Sequence, residues 1–176
     1  MKKSLKLLVA NRGEIALRVL RTCREMGIPT VAVYTDVDEL ALHVSYADEA
    51  VALGERNGYL DIDKLLQAAR QSSATAIHPG YGFLAENADF AQAVEEAGLT
   101  FIGPRSETIA LLGDKLASRQ VASKCGLPVL PGSSSPLPPE LPLEMARQVR
   151  YPVLVKAAAG GGGRGIRLAT CAEELP

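Results

Sequence analysis

Lys156 stands at the end of a short apolar run, Val153-Leu154-Val155, and three alanines lead from it into Gly160, Gly161, Gly162 and Gly163, then Arg164 and Gly165. Glycine loses more conformational freedom on folding than any other residue and has no side chain to pack in return. A folded chain keeps such a run where backbone must approach something closely. Bare N–H groups beside an ammonium form a host for phosphate oxygens. The chemistry indicated is nucleotide triphosphate binding, with a strand-borne Lys156 beneath a glycine flap. The plainer reading is a glycine-rich linker. Strand, lysine and glycine run in direct succession favour the flap.

Three further segments have residue types suited to a site. Ala10-Asn11-Arg12-Gly13-Glu14-Ile15-Ala16 lies where a first strand turns into a first helix. In parallel α/β sheets that crevice is where ligands bind. Asp36, just past the second strand, occupies the place of a ribose-binding acid in dinucleotide folds. The NAD reading fails on glycine count, because only Gly13 is present where G-x-G-x-x-G needs three. Arg12 and Glu14 are then expected as structural partners of a neighbouring domain. His78-Pro79-Gly80-Tyr81-Gly82-Phe83-Leu84-Ala85-Glu86-Asn87 follows the fourth strand. Tyr81, between two glycines, is expected to be exposed and able to stack on a flat ring. His78 reads first as a hydrogen-bonded structural residue. Gly113-Asp114-Lys115 opens a helix, with Asp114 as its N-cap. Lys115 there opposes the helix dipole, which points to a phosphate contact; a surface lysine is the alternative. No Ser/His/Asp set, metal-ligand cluster or paired carboxylates at catalytic spacing are present, so hydrolytic nucleophile chemistry has no support.

Alternating elements must position these segments. Strands are predicted over residues 5–10, 30–35, 49–53, 74–78 and 100–102, and helices over 14–26, 40–46, about 61–71 and 87–97. Strand and helix in alternation imply a parallel sheet covered on both faces. Two helices, 107–112 and 114–124, follow. Residues 127–142 hold six of the eleven prolines and three consecutive serines, the mark of a boundary or exposed loop. A helix over 140–149, a strand at 153, a returning strand at 166–169 and the start of a helix at 171–175 complete the pattern.

Hydrophobic content of 47% and charged content of 22% describe an ordinary globular chain. A net charge of −1 gives no support for nucleic-acid binding. Cys23, Cys125 and Cys171 are odd in number and far apart, which argues for free thiols in a reducing compartment. The apolar stretch at the start is too short and too interrupted for a signal peptide, and no stretch has membrane-spanning length. A cytoplasmic location is expected. A glycine flap needs a floor that these 176 residues do not supply, so the chain reads as the amino-terminal piece of a longer protein.

Taken in order, residues 10–16, 78–87, Phe101-Ile102-Gly103-Pro104, Gly113-Asp114-Lys115 and residues 151–165 resemble the amino-terminal part of biotin carboxylases, the ATP-grasp component of biotin-dependent carboxylases. The resemblance implies a Rossmann-like domain over 1–112, a helical linker over 113–130 and a partial ATP-grasp lid over 131–176. By motif match Lys115, Lys156, Gly160, Gly161, Gly162, Gly163 and Gly165 would contact ATP, and Tyr81 and Gly82 would lie near the biotin ureido ring. The implied reaction forms carboxyphosphate from bicarbonate and MgATP, and biotin captures the CO2 it releases. The implied partners are a biotin carboxyl carrier, a carboxyltransferase and bicarbonate, within a homo-oligomer. Mg2+ ligands and the catalytic residues are expected beyond these residues, so this length alone is expected to be inactive. Ala158 and Ala159 depart from the Ser and Gly of some members. Carbamoyl-phosphate synthetases have a similar strand-lysine-glycine segment and give the alternative ligase. A non-catalytic module that packs against another subunit is the third reading.

Overall fold

Five short strands, each followed by a helix or turn, wind into one parallel sheet. They are β1 (Leu7–Val9), β2 (Thr30–Tyr34), β3 (Glu49–Ala52), β4 (Ala76–His78) and β5 (Thr100–Phe101), in the spatial order β3-β2-β1-β4-β5. Every neighbouring pair is parallel, with Leu8 opposite Val31 on one side and Ile77 on the other. These coordinates come from a computed structural model that describes residues 4–130, 133, 150–156 and 165–175. The chain divides into two compact units, Met1–Gly113 and Asp114–Pro176.

The helices are α1 (Gly13–Glu25), α2 (Leu42–Tyr46), α3 (Ile62–Gln71), α4 (Ala88–Glu96) and α5 (Ser106–Gly113). Strand alternation splits the core in two. Leu7 and Val9 face Ala16, Val19, Leu20 and Cys23 of α1. Leu8 faces the other way, into a cluster with Val31, Val33, Leu65, Ile77 and Phe90. The expectation of a sheet covered on both faces holds. Phe90 is fully buried and meets Phe101 edge to face at 5.9 Å, an arrangement suited to the aromatic quadrupole. β3 is an edge strand with mostly exposed residues, which is why its sequence signal was short.

Helix starts follow their caps. Asp61 Oδ1 accepts from the Lys64 N–H at 3.0 Å, and Asn87 Oδ1 accepts from the Phe90 N–H at 2.7 Å. Two 3₁₀ turns, Asp36–Asp38 and Arg56–Leu60, lie between the main elements. The helix expected from residue 40 begins at Leu42.

In the second unit α6 (Lys115–Lys124) starts at Asp114, whose Oδ1 accepts from the N–H groups of Leu116 at 3.0 Å and Ala117 at 2.7 Å. β6 (Val153–Lys156) pairs antiparallel with β7 (Ile166–Ala169). The helix expected at 171–175 is instead a single 3₁₀ turn, Ala172–Glu174. Glu174 Oε2 accepts from the Thr170 N–H at 2.7 Å and hydroxyl at 2.8 Å, which ties the turn short. The helix expected at 140–149 lies outside the described residues.

Candidate functional site

The chain runs outward from β1 through β2 to β3, then crosses to β4 on the other side of β1. The reversal lies between β1 and β4, so the loops that leave those two strands flank the switch-point crevice at the carboxyl edge of the sheet. They are the loops of the Asn11-Arg12-Gly13 and Gly80-Tyr81-Gly82 motifs. Asn11 joins them. Its side chain is 3% exposed. Its amide Nδ2 donates to the carbonyls of Pro79 at 2.7 Å and Tyr81 at 2.9 Å. Its Oδ1 accepts from the Arg12 N–H at 2.9 Å. Gly80 lies against this amide with φ +69°, and a Cβ there would come within 2.6 Å of Asn11 Nδ2. Only glycine satisfies both constraints.

Tyr81 is 61% exposed, as its flanking glycines predict. Its hydroxyl donates to the Glu14 carboxylate in the first turn of α1, and that bond raises the phenol's pKa. Gly82 has φ +67°. Phe83 turns back and stacks on Tyr59 at 5.1 Å. His78 Nδ1 accepts from the Gly80 N–H at 3.0 Å, which supports the structural reading of this histidine. Burial lowers the His78 pKa, and Arg18 lowers it further.

The position that would hold a ribose is differently occupied. Asp36 is exposed, and Asp38, two residues on, turns inward. Arg12 Nε donates to Asp38 Oδ2 at 2.7 Å, and its terminal nitrogen donates to Oδ1. The Tyr59 hydroxyl donates to Oδ2 at 2.9 Å. The Arg12 hydrogen bonds hold the Asp38 carboxyl below the usual range, with Tyr59 adding to them. Burial, then Asp38, pushes the Tyr59 phenol up. This closed network corrects one expectation, that Arg12 and Glu14 are partners of a neighbouring domain. Asp38 and not Asp36 is the buried acid, and its oxygens already hold an arginine and a tyrosine. Arg12 and Glu14 find partners within their own unit, at Asp38 and Tyr81.

In the second unit, the register sets Leu154 opposite Leu168 and Lys156 opposite Ile166. Successive strand residues alternate faces, so these four share one face. Leu154 and Leu168 are 59% and 60% exposed, an apolar shelf beside an ammonium. Sequence reading found Lys156 and missed the shelf, because three apolar residues in a row give no alternation to show which of them is exposed. Lys115, at the first position of α6, is half-buried. Gly165 lies just before β7, while Gly160, Gly161, Gly162 and Gly163 lie outside the described residues. Among the described residues no group of three His, Cys, Asp or Glu could hold a metal ion. Also among them, no helix is long and apolar enough to cross a membrane.

Sequence reading missed two meetings, that of Asn11 with Pro79 and Tyr81 and that of Arg12 with Asp38 and Tyr59. Each partner is an ordinary residue in one dimension, and the meetings depend on strand order.

The family "Biotin carboxylase, N-terminal domain" matches residues 3–109, and "Carbamoyl-phosphate synthase L chain, ATP binding domain" matches residues 114–176. The chain is 53% identical to a biotin carboxylase of Pseudomonas aeruginosa, over 97% of this chain and 39% of that protein. It is 51% identical to the 2-oxoglutarate carboxylase small subunit of Hydrogenobacter thermophilus, over 97% and 37%. A crystal structure of the biotin carboxylase domain dimer of that thermophile's 2-oxoglutarate carboxylase, in complex with MgADP, ADP and bicarbonate, superposes with a TM-score of 0.91 at 50% identity, over 96% of this chain and 38% of that one. A biotin carboxylase-beta-gamma-ATP complex from Campylobacter jejuni superposes at 0.92 with 44% identity, over 97% and 39%. The chain therefore spans about two fifths of the length of these relatives. With more than half of its residues matched by that first family, and an Asn11-braced turn in the matched part, this chain belongs to the biotin carboxylase N-terminal domain family.

Proposed function

We propose that the full-length protein bearing this sequence is a biotin carboxylase. In the reaction, a bicarbonate oxygen attacks the γ-phosphorus of ATP and ADP leaves with the bond's electron pair. The carboxyphosphate formed releases phosphate and CO2, and a ureido nitrogen of biotin bonds to the CO2 carbon as its proton departs. The observation that carries the reading is the exposed face of β6 and β7 where Leu154, Leu168 and Ile166 adjoin Lys156. A planar base rests on the apolar shelf, and Lys156 reaches the phosphates that the base places beside it. Lys115 adds a second cation, and the backbone of Gly160, Gly161, Gly162, Gly163 and Gly165 supplies N–H groups to phosphate oxygens. Phosphoryl transfer needs charge neutralised and groups held in line, which these residues provide in part. Mg2+ chemistry requires carboxylates beyond the residues described.

Tyr81 and Gly82 are the surface offered to biotin. The ring of Tyr81 stands in solvent, tethered at its hydroxyl by Glu14. Such a turn distinguishes biotin carboxylation from the carbamoyl-phosphate alternative, which the match of the second unit alone would allow. Biotin-dependent ATP turnover against ammonia-dependent turnover separates the two. A carboxyl carrier presents biotin, a carboxyltransferase takes the product, the assembly is a homo-oligomer, and the compartment is the cytoplasm.

The experiment is nucleotide titration of the full-length protein. Lys156→Ala removes charge-assisted bonds and weakens ATP binding about ten- to a hundredfold. Leu154→Asp, which sets a carboxylate on the shelf, weakens it as well, with an unchanged melting temperature in both variants. Normal ATP affinity in Lys156→Ala would overturn the assignment.

A further inference from the structure

We infer that Asn11 and Glu14 are positioning residues for the Tyr81 turn, Asn11 by fixing its backbone and Glu14 by fixing its ring, a role that rests on the biotin-facing reading of that turn. Both come from the segment that links β1 to α1, and both reach across the switch point to the loop after β4.

Asn11 grips the turn on either side of Gly80, at the Pro79 and Tyr81 carbonyls. A peptide unit is planar and trans, so its C=O and N–H point in opposite directions. With the Tyr81 carbonyl held toward Asn11, the N–H of Gly82 must point away from it. That N–H has no hydrogen-bond partner among the described residues, and Gly82 is exposed. Asn11 thereby turns a backbone donor outward beside an exposed aromatic ring. The Asn11 amide is almost fully occupied by these bonds and the Arg12 N–H, which fixes its orientation in turn. A buried amide that holds two carbonyls cannot be replaced by a carboxylate, which has no N–H to donate.

Glu14 acts on the other end of Tyr81. An exposed tyrosine samples several rotamers, and freezing one when a ligand binds costs affinity. The bond from the Tyr81 hydroxyl to the Glu14 carboxylate selects one orientation before the ligand arrives. Because Glu14 and Tyr81 are both exposed, this bond contributes little to folding. Its effect falls on preorganisation.

The test measures KM for free biotin, KM for ATP and thermal midpoint in the full-length protein. Glu14→Ala and Tyr81→Phe each raise the biotin KM about threefold to tenfold, the range expected for one side chain immobilised on binding. The double variant is no worse than either alone, because both remove the same bond. Glu14→Gln keeps an acceptor oxygen and restores most of the loss. The ATP KM and the midpoint stay at their starting values in these surface variants. Asn11→Ala raises the biotin KM by about tenfold or more, as two buried bonds are lost. Should Asn11→Ala fail to fold, the Glu14 set still decides. Two results overturn the inference while leaving the biotin-facing reading intact. One is a biotin KM that rises in Tyr81→Ala but not in Glu14→Ala or Tyr81→Phe. The other is an independent, multiplicative effect in the double variant. A biotin KM unmoved by Tyr81→Ala overturns the biotin-facing reading itself, and the positioning role with it.

Discussion

Asp38 shows how much depends on a single carboxylate. The nearest other acids in sequence, Asp36 and Glu39, are exposed, while Asp38 is buried against Arg12 and Tyr59. Breaking a buried ion pair costs about 3–5 kcal/mol. Arg12 is half exposed and can turn to water, so the cost of Asp38→Asn is nearer ~2 kcal/mol once screening is counted. Asp36→Asn stays within about 0.5 kcal/mol. Acid acts at the same place. The carboxyl of Asp38 is held low in the fold, so its contribution is present above the ordinary carboxylate pKa of about 3.9 and is lost as pH falls through the folded value. His43, buried with Nε2 at 3.3 Å from the Val33 carbonyl, is held neutral by burial. The unfolded chain takes up that proton below about pH 6.5, so stability also falls from there downward. Urea midpoints at pH 7, 5 and 3.5 are therefore expected to fall in two stages, with the second much reduced in Asp38→Asn. A flat profile between pH 7 and 5 would contradict the neutral, buried His43.

At the scale of elements, caps and core pairs differ in weight. Asn87 caps α4, the helix that directly follows the Tyr81 loop. Asn87→Ala is expected to cost about 1 kcal/mol, and Asn87→Ser far less, because a hydroxyl also accepts from the helix N–H groups. Phe90, one turn further on, fills the core against Phe101, and Phe90→Ala costs about 3–5 kcal/mol. The cap variant should therefore raise local amide exchange at 86–90 while the protein stays folded, and the core variant should lower the global urea midpoint. If Asn87→Ala lowered global stability as much as Phe90→Ala, the cap would be holding more than the helix end.

At the scale of the whole molecule, the two units divide the work. The first presents a braced turn at its switch point, and the second presents a cation on an apolar shelf. The shelf leaves Leu154, Ile166 and Leu168 exposed, and an open face binds a small ligand less tightly than an enclosing cleft. Isothermal titration of these 176 residues with MgATP is expected to show no micromolar binding and no ATP turnover. A micromolar dissociation constant would show that the shelf suffices alone.

Much of this was legible in one dimension. Period-two and period-3.6 patterns located the strands and most helices, and Asp114 marked a helix start because capping is local. Tyr81 was legible as exposed because glycines on both sides leave nothing to cover it. At 171–175, read as the start of a helix, the structure has a 3₁₀ turn whose Glu174 accepts from Thr170. Chemistry carried by one segment, such as Lys156 with its glycines, can be proposed from sequence alone. Chemistry carried between segments cannot be. Asn11 meets Pro79 and Tyr81 across 68 and 70 residues, and Arg12 meets Asp38 across 26. The first meeting depends on β4 pairing beside β1 and the second on β2 pairing on its other side, choices made by the packing of both sheet faces together, which no local run of residues encodes.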